Sequence, residues 1–125
     1  MEVIEYNGKR VYTNLLNSAT KEDLKKAKTE NGSITDVYFF QLTGDRLVER
    51  IDFDRKKIEN LNSGLHVEVN LSGWGVASVS IAGLDNIVKF LCDATSLGKD
   101  LSVLSGRKVK TYSSGMQLLG IELEN

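Results

Sequence analysis

Only two side chains in the 125 residues could supply an imidazole base or a thiolate nucleophile near neutral pH: the single histidine, His66, and the single cysteine, Cys92. As a metal ligand His66 needs partners, and no His, Cys or carboxylate cluster stands at ligand spacing from it. As a general base it needs a nucleophile and an orienting acid, which neighbours along the chain do not provide. It sits on the polar side of the alternating run Leu65, Val67, Val69, Leu71, so the pattern predicts an ordinary surface histidine. Cys92 falls mid-helix among Phe90, Leu91 and Ala94, an apolar position that predicts a buried, inert thiol.

The acidic run Glu49, Asp52, Asp54 offers two carboxylates on one side of a strand, enough in principle to share a Mg²⁺ ion. Arg50 lies on the same side, and Arg55 and Lys56 follow, so ion pairs within a solvated edge strand are the expectation. Gly73-Trp74-Gly75 and Gly106-Arg107-Lys108 lack the strand, glycine turn and helix N-terminus of a phosphate-binding loop. No catalytic residue, metal ligand or cofactor is expected. An enzyme is the least favoured class.

Binding candidates remain. Trp74 lies between two glycines at a predicted hairpin tip, where a tryptophan would serve as a contact anchor. Tyr38 and Phe40 point to one face of an aromatic strand whose other face is also apolar, so that strand is either central or open to a partner. Arg107, Lys108 and Lys110 lead into a strand on which Tyr112 shares the face of the two lysines. Such a face could follow a phosphate backbone while stacking a base. Lys21, Lys25 and Lys28 add charge along a predicted helix.

The elements that position these residues are short. Asn7-Gly8 between Val3–Tyr6 and Lys9–Tyr12 predicts a type I′ hairpin. Thr20 and Asp23 form a capping box for a thin-striped helix through Lys28, stopped by Asn31-Gly32. Ile34–Leu42 and Arg46–Phe53 predict a second hairpin about Thr43-Gly44-Asp45, and the polar stretch Asp54–Gly64 a linker. Leu65–Leu71 and Val76–Ile81 form the third hairpin. A helix with the stripe Leu84, Ile87, Val88, Leu91, Ala94 follows, with Gly98 as its C-cap. Lys108–Tyr112 and Gln117–Leu123 form the last hairpin. The class is α+β, predominantly antiparallel hairpins with two helices, in a single domain 1–125. The order also suggests a pseudo-duplicated ββαββ arrangement with halves 1–61 and 62–125.

One cysteine permits no internal disulfide, and the first residues carry no secretion signal. With no apolar run of membrane-spanning length, a cytoplasmic location is expected and no membrane partner. A formal net charge of −1 disfavours a dedicated nucleic-acid binder. The leading expectation is a small non-enzymatic accessory protein, a regulator or inhibitor of bacterial or mobile-element type, acting through a protein–protein surface and as a homo-oligomer. A nucleic-acid or nucleotide module is the alternative.

Overall fold

The computed structural model describes residues 3–15, 19–43, 48–52, 63–72 and 75–124. Asn7 and Gly8 both take positive φ, 53° and 78°, as a type I′ turn requires. Around them β1 (Val3–Tyr6) pairs with β2 (Lys9–Thr13). Thr20 caps α1 (Lys21–Lys26) through the predicted box: its hydroxyl accepts from the Asp23 amide, and the Asp23 carboxylate accepts from the Thr20 amide. Leu24 is the helix's one buried residue, and its charged positions face solvent.

α1 ends before Lys28, earlier than predicted. Lys28 already belongs to β3 (Lys28–Leu42), which passes straight through Asn31-Gly32 instead of stopping there. Both edges of the strand are bonded at that point. Gly32 faces Val109 of β7 (Lys108–Ser114) on one side and Leu71 of β5 (Ser63–Leu71) on the other. A Cβ on Gly32 would stand 2.9 Å from the Asn70 carbonyl oxygen, so this glycine serves close approach between strands.

β4 (Val48–Arg50) pairs with Phe40–Leu42, as the second hairpin requires. Gly44 and Asp45 of its turn, and linker residues 54–62, lie outside the described residues. Ser63 and Gly64, predicted as linker, are buried within β5. β5 turns Leu65, Val67, Val69 and Leu71 into the core and pairs with β6 (Gly75–Ile81). α2 (Leu84–Asp93) ends at Ala94, and Thr95 takes the left-handed conformation (φ 54°). Gly98, predicted as the C-cap, therefore lies in a later turn. A single 3₁₀ turn (Leu101–Leu104) leads to β7, and β8 (Gln117–Leu123) completes the last hairpin.

The strands form one antiparallel sheet, β1-β2-β8-β7-β3-β5-β6, with β4 also on β3. Just beyond β2, the Leu15 amide donates to the Ser80 carbonyl (2.8 Å). The Asn14 side chain donates to the Ser78 carbonyl (3.1 Å) and accepts from the Ser80 amide (3.3 Å). The sheet thus curls until β6 lies beside the end of β2. Its inner side packs Tyr12, Val67, Ile81, Val109 and Ile121 against Ile87, Phe90 and Leu91 of α2. α1 covers a second cluster on the outer side, around Ile4, Val11, Tyr112 and Leu119. The α+β class holds, dominated by antiparallel strands. The two halves take different neighbours: β5 lies between β6 and β3, whereas β1 has β2 alone among the described residues.

A Cβ at Gly64 would come within 2.2 Å of the Ile81 carbonyl oxygen, backbone that cannot swing aside. Gly64→Ala is expected to cost roughly 2–3 kcal/mol, near the top of the overpacking range. Gly98→Ala, with open space but φ +79°, should cost about 1 kcal/mol. Urea unfolding of both variants checks this, and equal losses would contradict the close β5–β6 approach at Gly64.

Candidate functional site

Where β3, β5 and β6 run side by side, Tyr38, His66 and Ser80 are cross-strand neighbours on the outer face. The rings of Tyr38 and His66 lie 4.9 Å apart and tilted, and Phe40 meets His66 edge-on at 5.9 Å. His66 Nδ1 is 3.1 Å from Ser80 Oγ. From β4, the Arg50 guanidinium lies 4.0 Å over the Tyr38 ring and donates to Asp36 Oδ2 at 2.7 Å. Four strands thereby build one stack of cation, phenol, imidazole and hydroxyl.

This corrects the predicted surface histidine. His66 is only 8% exposed, because the residues that alternation places beside it on β3 are aromatic. Burial holds its pKa below the ordinary histidine value; the charges of Glu68 and Asp36 oppose that shift and Arg50 adds to it. Tyr38 is raised, first by burial and then by the charge of Glu68. Among the described residues Arg50 pairs with Asp36 on the neighbouring strand, not with Glu49 or Asp52, while Arg55 and Lys56 of the expected ion pairs lie outside them. Asp52 is exposed after β4, and Asp54 lies outside the described residues.

A second polar group gathers where α2 meets β2. Arg10 bridges Asp93 (3.2 Å) and Glu5 (3.6 Å), and the buried Tyr12 hydroxyl donates to Asp93. Burial, then the hydrogen bond to Asp93, raises the Tyr12 pKa strongly. Lys9 approaches buried Glu122 at 3.9 Å, and the Tyr112 hydroxyl donates to Glu122 at 3.3 Å. Burial and the Glu122 charge push Tyr112 up to about 12. Glu5, Lys9, Arg10, Tyr12, Asp93 and Glu122 line a cleft of about 390 Å³, but each charge among them already meets an opposite charge. The cleft pins α2 to β2.

The predicted contact residues fare differently. Tyr38 is half-buried and lines an open groove of about 600 Å³ with Arg50, Ile51 and Leu101. Phe40 is 1% exposed and is core, not surface, because β3 is the central strand that its two apolar faces allowed. Trp74 lies outside the described residues. Of the basic set, Lys108 and Lys110 do share the outer face of β7 with Tyr112, and Lys110 sits 5.4 Å over its ring. Tyr112 itself is 2% exposed beneath α1, so its ring has no open face for a base. Arg107 is spent on backbone, donating to the carbonyls of Glu124 (3.2 Å) and Ala94 (3.0 Å). Lys28 belongs to β3 and pairs with Glu30, and Lys25 pairs with Glu22. Cys92, predicted buried, is exposed: it shares its helix face with Asp85 and Lys89, opposite Ile87 and Leu91.

A Ser–His contact invites comparison with a nucleophile and its base. Ser80 is the last residue but one of β6 and only 8% exposed, and among the described residues no carboxylate hydrogen-bonds the imidazole. Nor do the described residues include a group of three or more His, Cys, Asp or Glu placed to hold a metal. No helix among them is long and apolar enough to cross a membrane. Comparison with protein-family models, curated proteins and solved structures returns no match for this chain. Sequence reasoning missed the Arg50–Tyr38–His66–Ser80 stack because its members become neighbours only through strand register, for which the linear sequence carries no signal.

The lowered His66 pKa fixes a pH dependence. The unfolded chain takes up a proton near pH 6.5 while the folded chain resists it. Stability is full above that value, falls as pH drops through it, and levels off below the folded-state pKa. His66 is the only histidine, so urea midpoints measured from pH 7 to 5 should decline in the natural chain and flatten in His66→Gln. A slope unchanged in the variant would contradict the assignment.

Proposed function

We propose that this chain is a small non-enzymatic binding protein that acts through a protein–protein surface, with Tyr38 at its centre. The observation that carries this reading is the groove beside Tyr38. Half-buried Phe39, Ile51 and Leu101 line it together with charged Arg50, Asp52, Lys99 and Asp100. An apolar floor with a charged rim is the composition of a protein contact patch. The polar stack next to it is locked by its own contacts, which suits a rigid platform better than a reaction centre.

Self-association is part of the proposal, with a second copy as one occupant of the exposed surface. The alternative through Lys108, Lys110 and Tyr112 draws less support, because a base would have to displace α1 to reach the Tyr112 ring. The two differ in salt response: phosphate contacts weaken steeply as salt rises, and an apolar patch does not.

Sedimentation velocity over a wide protein concentration range, with and without Tyr38→Ala, tests the proposal. Association that survives high salt and weakens about tenfold in the variant is expected. A strict monomer at the highest concentration, together with captured partners that bind Tyr38→Ala equally well, would overturn it.

A further inference from the structure

Tyr38 and Arg50 belong to two assemblies at once. Both line the groove, and both belong to the stack that runs on to His66. The Arg50 guanidinium rests 4.0 Å over the Tyr38 ring, and the His66 ring lies 4.9 Å from that same ring. A change in the charge of His66 therefore acts on two residues that shape the groove.

The charges around the imidazole come from three strands. In the pairing of β3 with β5, Tyr38 stands opposite His66, and Asp36 stands opposite Glu68 one rung along the same face. β4 contributes Arg50, which already donates to Asp36 at 2.7 Å. β6 contributes Ser80, a neutral hydroxyl 3.1 Å from Nδ1. Among the described residues, Asp36, Glu68 and Arg50 are the charges that act on the ring. Burial raises the Tyr38 phenol, which stays neutral.

With His66 neutral, one cation covers the phenol and Asp36 is its counter-ion. A proton on His66 upsets this arrangement. The buried imidazolium and the guanidinium then flank one phenol ring, repel each other and compete for Asp36. Arg50 is the partner able to leave: its side chain is 62% exposed, whereas His66 is buried against Tyr38 and Phe40.

We propose that His66 is a proton-operated latch on the groove: neutral, it leaves Arg50 seated on Tyr38, and protonated, it drives the guanidinium off the ring and weakens binding there. Burial and Arg50 both hold the imidazole pKa down, so the latch trips in mildly acid solution, below the ordinary histidine value. The inference rests on the protein-binding reading above and adds its regulation.

Nuclear magnetic resonance on the full isotope-labelled chain tests it, titrated from pH 7 to 5 with the amide spectrum verifying the fold at each step. His66 is the only histidine, so its ring resonances give the midpoint directly. The Arg50 Nε–H and Tyr38 ring resonances should move with that midpoint and stay still in His66→Gln. Linkage demands the converse: Arg50→Gln, which removes a nearby positive charge, should raise the His66 midpoint by about half a unit. Sedimentation at the two ends of the titration should show Tyr38-dependent association weakening in acid by about threefold, the factor that half a unit represents. His66→Gln should abolish that difference. Arg50 and Tyr38 resonances that ignore the proton on His66, or a midpoint indifferent to Arg50→Gln, would overturn the latch. Association equally strong at both ends removes the latch and leaves the binding reading. Coupled resonances without association at any pH remove the binding reading and leave His66 coupled to Arg50.

Discussion

Three strands take their places directly from the backbone donors and acceptors of Lys28–Leu42: β7 and β4 along one edge, β5 along the other. The remaining strands attach through these, β8, β2 and β1 beyond β7, and β6 beyond β5. Fifteen residues in one strand make this possible, and the register shift between Ile34 and Asp36 re-aims the strand midway. Glycine permits the close packing that results. Gly32, Gly64 and Gly120 each lie where a Cβ would press on a neighbouring carbonyl. Two of the three thus sit in β3 or against it.

The same geometry governs the polar residues. Strand pairing delivers aromatic, charged and hydroxyl side chains into rows, and within a row they satisfy one another. Asp36 holds Arg50, Arg50 covers Tyr38, Tyr38 shields His66, and His66 meets Ser80. Around α2 the matching work falls to Arg10, Tyr12 and Asp93. Groups committed in this way are poor reagents and good struts. What lies at the margin of the rows is the groove beside Tyr38, lined by Ile51 and Leu101.

Local chemistry was legible from the sequence wherever a short motif acts alone. Asn7-Gly8 needs only its own two φ angles, and the Thr20–Asp23 box only one helical turn. The alternation from Leu65 to Leu71 reports a strand with Leu65, Val67, Val69 and Leu71 on its core face. Errors arose where a residue's role depends on distant neighbours. A glycine serving close approach looks the same in sequence as one serving a turn, and Asn31-Gly32 therefore reads as a helix stop although it lies inside β3. His66 sits at a polar position of its strand, but β3 brings aromatic rings to it. Cys92 lies among apolar residues in sequence, yet a 100° step per residue turns it outward. Of the candidate site, Tyr38 was identified from its strand's composition; its partners Arg50, His66 and Ser80 were not, since register alone unites them.

The whole sheet depends on β3 being one continuous strand bonded on both edges at Gly32. Nuclear Overhauser contacts of Gly32 in the isotope-labelled protein address that directly. Cross-strand contacts from Gly32 to both Leu71 and Val109 are predicted. Helical contacts running from Lys25 through Asn31, with Gly32 near neither strand, would contradict it.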